Sequence, residues 1–536
     1  MTGKPFTVGR RNVVVGALLA SAAIAKAEID ASEADLYGPP DHAGHPVDLH
    51  PDREETFDVV VIGSGAAGLS AALEARKAGA STAVLEKMGS PGGNSIISGG
   101  QMTVPGSPIQ KKLGIADSVE KFQHELLRAG YSSHPDRVET LGAHALDAFA
   151  WTRNELGVRW FEDRLERDDA DTIPRAAILQ SRNGMGLVLP MLQRARTIGV
   201  EIRLRTKALH LLTDPDDGGR VTGVLAEDTA TGEKIRFRAK KGVVLASGGF
   251  GADIPMRQML NWRLSERVGT TTQPGSTSEM LRDAARIGAW LIHLEYIHCV
   301  PDASPDEKGW GTAWQFSRYC ASPFGFWVSK NTGERFVNEL SGNSEKTNAV
   351  FDILNTGDEP LAIANADAVR HPQSMIFQES DVETLVRRGF IQKYSDIDSL
   401  AKGYGIPPGP LKQTIEAYNT AVKAGKPFDP MGRPIPKGAK PLTDGPWYVG
   451  AILAKVLTCS GGIAIDAAAH VLSVNDDEPI PGLYAAGEVT GGLSGISFNL
   501  TCGLLDAIAL SVKITFATLS VLHGVVKHAI FAGVYR

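Results

Sequence analysis

The run Phe57-Asp58-Val59-Val60-Val61-Ile62-Gly63-Ser64-Gly65-Ala66-Ala67-Gly68 passes from an unbroken apolar stretch straight into G-x-G-x-x-G, and the next apolar run, Thr82-Ala83-Val84-Leu85, closes on Glu86. An apolar run of this length bounded by glycine reads as a buried strand. Strand, glycine triplet, helix and acidic residue at this spacing make a dinucleotide-binding βαβ unit. The physics fixes each glycine in turn. Gly63 permits the tight turn out of the strand, Gly65 lets backbone approach a pyrophosphate, and Gly68 lets the helix pack close to the sheet. The free N–H groups and positive dipole end of that helix then stabilise phosphate charge. Glu86, about 20 residues on, is placed to accept hydrogen bonds from a ribose.

The chain continues with Lys87-Met88-Gly89-Ser90-Pro91-Gly92-Gly93-Asn94-Ser95 and Ser98-Gly99-Gly100. This glycine-rich extension is one that a nicotinamide enzyme would not need, and it reads as a flavin site. Further along stand Gly242-Val243-Val244-Leu245-Ala246-Ser247-Gly248-Gly249-Phe250, Gly333-Glu334-Arg335-Phe336-Val337-Asn338-Glu339, Gly461-Gly462-Ile463-Ala464-Ile465-Asp466, and Ile480-Pro481-Gly482-Leu483-Tyr484-Ala485-Ala486-Gly487-Glu488-Val489-Thr490-Gly491-Gly492. In that order, over roughly residues 57 to 515, they resemble the FAD-dependent flavoprotein family of soluble fumarate reductases, succinate dehydrogenase flavoprotein subunits and 3-ketosteroid dehydrogenases. The resemblance implies an α/β fold: a Rossmann-type FAD-binding domain with an inserted β-meander, and an α+β capping domain that closes over the flavin. It implies FAD as cofactor, with contacts at Gly63, Gly65, Ala67, Gly68, Glu86, Lys87, Asn94, Ser95, Gly99, Gly100, Ala208, Gly248, Glu279, Glu488, Gly503 and Leu504. Glu279, in Thr277-Ser278-Glu279-Met280, replaces the family's Gly-Asp-Gly: the carboxylate persists, but its loop has lost both glycines.

Bulk properties narrow the function. A chain of 536 residues exceeds one typical domain, and 43% apolar with 22% charged residues describes a globular protein. The net charge of -6 and the lack of a basic stripe argue against a nucleic-acid partner. Cys299, Cys320, Cys459 and Cys502 are widely spaced, with no C-x-x-C and no C-x-x-C-H, so no c-type haem is built in and no cysteine metal site is expected. Electrons are therefore expected to pass to or from an external carrier, a quinone or cytochrome. At the N-terminus, Gly9-Arg10-Arg11-Asn12 precedes the apolar run Val13 to Ile24 and the small-x-small Ala25-Lys26-Ala27. It reads as a twin-arginine export signal leading to the periplasm or beyond; a short hydrophobic anchor is the alternative.

The resulting domain plan is a signal peptide over 1–27, a solvated linker over 28–56, a first FAD-binding part over 57–293, a cap over 294–445, and a second FAD-binding part with a C-terminal helix over 446–536. Arg203 to Leu212, Val221 to Asp228 and Lys234 to Ala239 read as the meander strands, separated by Asp-Gly-Gly and Thr-Gly turns. In the cap, Ile397 to Gly403 and Pro410 to Ala424 read as helices. After Gly503-Leu504-Leu505-Asp506-Ala507, the apolar pattern runs on to Phe531. It is either a helix packed on the body or one that contacts a membrane surface or partner.

Members of the resembled family move a hydride between a substrate carbon and the flavin, paired with proton transfer at the neighbouring carbon. In the fumarate reductases, cationic and imidazole groups serve a substrate with two carboxylates. This chain departs at those places. Val300 precedes Pro301 where histidine is expected, Arg318-Tyr319 stand for Thr-Glu, Asn343 for arginine, Thr458 or Cys459 for histidine, and Ser494 and Phe498 for histidine and arginine. Two carboxylates would find few charged partners, and burying them unpaired is costly. A neutral pocket suits an uncharged, largely apolar ketone that is dehydrogenated beside its carbonyl. Tyrosines act as base and carbonyl donor in the 3-ketosteroid dehydrogenases, so the resemblance points to Tyr319 for proton transfer, with Arg318 beside it and Asn343 or Thr458 holding the carbonyl oxygen. His298 is a further acid–base candidate, two residues before the expected histidine and on the same strand face as Val300. The ketosteroid enzymes' glycine-rich tyrosine segment is missing. Reduction of an unsaturated acid with external electrons, and flavin binding without turnover, stand as alternatives.

Overall fold

The computed structural model describes residues 47–509 except 169–170, 307–308, 372–373, 375–378, 437–438 and 496–500, together with 37–38 and 511. The expected export signal, Phe498 and the apolar C-terminal extension lie outside the described residues. Strand β1 (Arg53–Ile62) leads into helix α1 (Ala66–Lys77) and strand β2 (Thr82–Glu86). β1 and β2 are parallel in register Val59↔Thr82 to Ile62↔Leu85. The fully apolar run Val59 to Ile62 is buried on both faces, which is why it does not alternate. β1 starts at Arg53, so the last residues of the expected linker are already strand: Arg53 to Phe57 pair with Ile235 to Ala239.

The main sheet extends both ways from β1. β2 pairs with β3 (Glu201–Leu204), also parallel, and β1 pairs on its other side with β6 (Lys234–Leu245), which pairs in turn with β14 (Pro479–Ala485). β13 (His470–Leu472) is antiparallel at the edge, giving the order β13-β14-β6-β1-β2-β3. The meander is β4 (Thr206–Asp214), β5 (Arg220–Asp228) and the first half of β6. Two sequence expectations change here. The run Arg203 to Leu212 is split at Arg205, whose φ of +55° breaks the strand and sends its two halves into different parts of the sheet. Conversely, Lys234 to Ala239 and the central run from Gly242 are one strand, with a register shift between Ala239 and Gly242 that lets it serve meander and parallel core together.

The cap has its own four-stranded antiparallel sheet, in order β8 (Phe326–Ser329), β9 (Pro360–Asn365), β11 (Trp447–Ala451) and β10 (Gln392–Tyr394). The cap therefore extends past residue 445: Trp447 to Ala451 pair with Asn365 to Leu361. Its helices over Ile397–Tyr404 and Pro408–Lys423 pack under this sheet through Leu400, Leu411 and Ile415. Arg335 and Glu339 brace the cap loop: Arg335 bonds Glu339 and Asp429, Arg433 bonds Asp429, and Glu339 also accepts from Trp327 N at 2.9 Å. Between the lobes, β7 (Ile297–Ala303) pairs antiparallel with β12 (Leu453–Cys459), so the entry to and exit from the cap lie side by side. All four cysteines are free, and burial raises the thiols of Cys299 and Cys320 to about 12 and holds those of Cys459 and Cys502 well above the usual thiol value, so they serve as packing groups. Among the described residues no helix is long and apolar enough to cross a membrane, and no cluster could hold a metal ion.

Candidate functional site

The three glycines of the first turn divide between fold and access. Gly63 has φ +103°, and a Cβ there would collide with the Ala246 carbonyl oxygen; one on Gly68 would collide with that of Gly63. A Cβ on Gly65 would meet only Ser95 Oγ, at 3.6 Å, so space is left open before the N-terminus of α1. No side chain caps that helix at Gly65, although Ser95 Oγ accepts from Ala66 N at 3.0 Å. Ala67 is buried one position further in. Open backbone donors beside a glycine gap fit a pyrophosphate.

Several of the residues expected at the cofactor lie around this turn. Glu86 accepts from Ser64 N at 3.1 Å, Ser64 Oγ at 2.6 Å and Met88 N at 2.9 Å, so its carboxylate is fixed at the end of β2 where a ribose would reach it. Lys87 contacts Thr277 Oγ1 and Glu279 Oε2, and Lys207, the neighbour of Ala208, lies 3.5 Å from Glu279 Oε1. Burial would raise the Glu279 carboxyl, but the Thr277 hydroxyl, the helix backbone and Lys87 together bring it down to about 2. Gly92 and Gly93 have positive φ, and a Cβ on Gly93 would come within 3.5 Å of Gly65, so this loop forms the wall opposite α1. Gly99 and Gly100 follow; Gly100 turns at φ +72° and accepts from Leu179 N at 2.9 Å. Gly248, at φ +78°, has no atom within 4 Å of where a Cβ would sit.

Glu488 ties the second FAD-binding part to the first. Its Oε2 accepts from Asn94 Nδ2 at 3.1 Å, and its Oε1 from Thr458 Oγ1 at 2.7 Å and Cys459 N at 3.1 Å. Asn94 Oδ1 accepts in turn from Gln273 N at 2.8 Å and Ser276 Oγ at 3.2 Å. A Cβ on Gly487 would sit 2.9 Å from the Ala67 Cβ, so the segment after β14 lies directly on the start of α1. The chain then passes Thr490 to Gly495 and enters a helix over 502–509, where Gly503 is exposed and Leu504 buried.

The proposed catalytic residues fall into separate groups. Thr458 and His298 are paired across β7 and β12, and His298 also hydrogen-bonds backbone at Gly495, beside Ser494. Burial lowers the His298 imidazole to about 4, leaving it neutral at pH 7. Tyr319 and Arg318 lie in a π-helical turn, Phe316–Ala321, a geometry concentrated at functional sites. Tyr319 packs on Trp314 with ring centroids 5.8 Å apart; Arg318 lies 3.8 Å from Asp302 and over the faces of Trp310 and Trp314 at 5.5 and 5.7 Å. The guanidinium is thus directed to Asp302 and two indoles. Asn343 is exposed at the first position of helix α3 (Asn343–Asn355), which starts after the loop that follows Glu339. Sequence reasoning missed His134, His293 and Tyr296, which meet beside Gly492. No spacing signal links residues so far apart.

Residues 58–503 match the model of the FAD binding domain family. The chain is 32% identical to the acrylate reductase flavoprotein subunit of Shewanella woodyi over 469 residues, covering 85% of this chain and 90% of that protein. It is 33% identical to the urocanate reductase of Eggerthella lenta over 452 residues, covering 84% and 72%. Among solved structures, the open conformation of a flavocytochrome c3 fumarate reductase superposes with a TM-score of 0.75 at 26% identity, covering 87% of this chain and 78% of that one. The chain is an FAD-dependent oxidoreductase and belongs to the FAD binding domain family.

Proposed function

We propose that this flavoenzyme acts on a carbon–carbon bond next to a carbonyl, in a substrate that is neutral or carries a single negative charge. The observation that carries the reading is the character of the groups between the lobes. His298 is a neutral imidazole, Ser494 offers a hydroxyl, the Thr458 hydroxyl already donates to Glu488, and Arg318 is already engaged by Asp302, Trp310 and Trp314. Two carboxylates brought here would lose their hydration without gaining paired cations. Bound FAD supplies hydride transfer at the substrate carbon. Within the chain, Tyr319 holds the proton at the adjacent carbon, with His298 as the second acid–base group, and the Thr458 hydroxyl, which donates to Glu488 Oε1, stands opposite His298 on the neighbouring strand. Closure of the cap excludes water.

The first reading is dehydrogenation of a ketone. A second, reduction of an unsaturated acid with one carboxylate, is favoured by the likeness to acrylate and urocanate reductases. With no haem motif in the sequence, a separate quinone or cytochrome carries the electrons. The twin-arginine signal, which suits a protein exported folded with its flavin, would place the reaction outside the cytoplasm.

Anaerobic bleaching of the oxidised holoenzyme by ketones, set beside reoxidation of the reduced enzyme by enones, acrylate-type acids and fumarate, tests the reading. Bleaching by ketones supports the first direction, and reoxidation by enones or monocarboxylic enoates the second. Rapid turnover of fumarate would overturn both. Tyr319→Phe is expected to lower turnover by about 10²–10⁴-fold with flavin content intact; full activity in that variant removes the tyrosine assignment.

A further inference from the structure

The segment Thr490 to Gly495, which continues from the Glu488 contacts along the cofactor cradle, is gripped from its outer side by the first turn of helix α2 (Pro135–Asn154). His134 N donates to Gly492 O at 2.7 Å, and a Cβ on Gly492 would sit 3.2 Å from the His134 ring, so the segment rests on that imidazole. Arg137 Nη2 donates to Thr490 Oγ1 at 3.1 Å and lies 3.4 Å from Asp506 Oδ1 in the last helix. A strap comes from the other side. Leu291 and Ile292 pair with Ile463 and Gly462, and pairing resumes at Ile297↔Cys459. Between them residues 293–296 bulge outward, with His293 at φ +56° and Tyr296 N donating to His293 O at 3.0 Å.

The bulge delivers the His293 ring to His134. The two Nε2 atoms are 3.1 Å apart with the rings edge-on, and Tyr296 stacks on His293 at 5.3 Å and 11°. A non-glycine residue in the left-handed region is strained, and strain of this kind persists where the surrounding structure holds it for a use. We propose that His134 and His293 are positioning residues whose hydrogen bond latches the segment Thr490 to Gly495 over the cofactor, and that protonating both rings releases it.

An Nε2···Nε2 hydrogen bond needs one ring as donor and the other as acceptor. Two protonated rings have no acceptor and repel each other. Burial, then the neighbouring His293, hold the His134 imidazole below its ordinary 6.5. A histidine depressed in the closed state contributes fully above about pH 6.5 and loses its contribution as pH falls below that. The other charged or titratable groups facing the pair are Asp136 and Arg137 on the turn of α2 and Tyr296 on the strap, with Asp506 beyond Arg137. The latch depends on the cofactor and not on which substrate is used, so its failure leaves the functional reading untouched.

The test is the FAD dissociation constant, read by flavin fluorescence from pH 8 to pH 5, for the full chain and for His134→Gln, His293→Gln and His134→Ala. A glutamine amide can hold the hydrogen bond at every pH, and the two glutamine variants probe the latch from either side should one fold poorly. The wild-type chain is expected to bind FAD about tenfold more weakly at pH 5 than at pH 7, as loss of one hydrogen bond allows. The glutamine variants flatten that slope, and His134→Ala binds about tenfold more weakly throughout. A wild-type affinity that does not change with pH, or glutamine variants that keep the acid weakening, would overturn the proposal.

Discussion

At the scale of single residues, Gly65 and Gly68 separate what the fold needs from what the cofactor needs. A Cβ on Gly68 would run into the Gly63 carbonyl oxygen, backbone that cannot move without distorting the strand-to-helix turn. Gly68→Ala should therefore destabilise the apoprotein by about 3 kcal/mol or more. Gly65→Ala meets only Ser95 Oγ at ordinary contact distance, so the apoprotein should melt as the wild type does. The same methyl narrows the gap before α1, and FAD affinity should fall by roughly tenfold or more, since displaced phosphate contacts are charge-assisted. Thermal melts of both apoproteins, with flavin titrations, check the pair; equal effects of the two substitutions on apoprotein stability would contradict the division. These glycines were legible because turn geometry and phosphate access restrict residue type locally. His134 and His293 were not, since their meeting depends on a bulge in one segment and a helix start in another.

At the scale of elements, the cap loop is braced by a buried ionic cluster beside the cap's apolar core. Glu339 is wholly buried and joins Arg335 and Arg433 with the Trp327 amide, while Asp429 closes the group from the far side. Removing one carboxylate leaves buried guanidinium charge uncompensated. Glu339→Ala should cost about 3–5 kcal/mol, seen as earlier unfolding in denaturant, whereas FAD binding by the protein that remains folded should persist. Loss of flavin before any loss of folded signal would contradict this. The Arg-Phe-Val-Asn-Glu run was recognisable in the sequence as a motif. The element boundaries needed coordinates: Arg205 splits an apparently continuous strand, β6 joins two, and β11 belongs to the cap sheet although the composition shift falls before it.

At the scale of the whole molecule, a buried cluster in the first lobe sets part of the pH response. Arg175 bonds Asp117, Glu125 and Asp171, three carboxylates for one guanidinium, all buried. Burial drives the Asp171 carboxyl up to about 6, opposed by Arg175 and reinforced by Asp168 and Glu125. A carboxyl raised in the folded state favours folding at low pH, and that advantage is lost as pH rises through about 6. Asp171→Asn, which imitates the protonated form, should raise the melting temperature at pH 8 by about 2–4 °C and by about half as much at pH 5, since the advantage of the protonated carboxyl is lost between about pH 3.8 and 6. A variant that melts lower at pH 8 would show the charge to be needed. The sequence by itself determined the cofactor and the class of fold, because a glycine-gated phosphate site and an apolar parallel core constrain residue type over short stretches. Which side chains meet between the lobes was decided by tertiary structure alone. Strand register and a left-handed histidine fix those meetings, which bring together segments far apart in sequence, His134 and His293 by 159 residues.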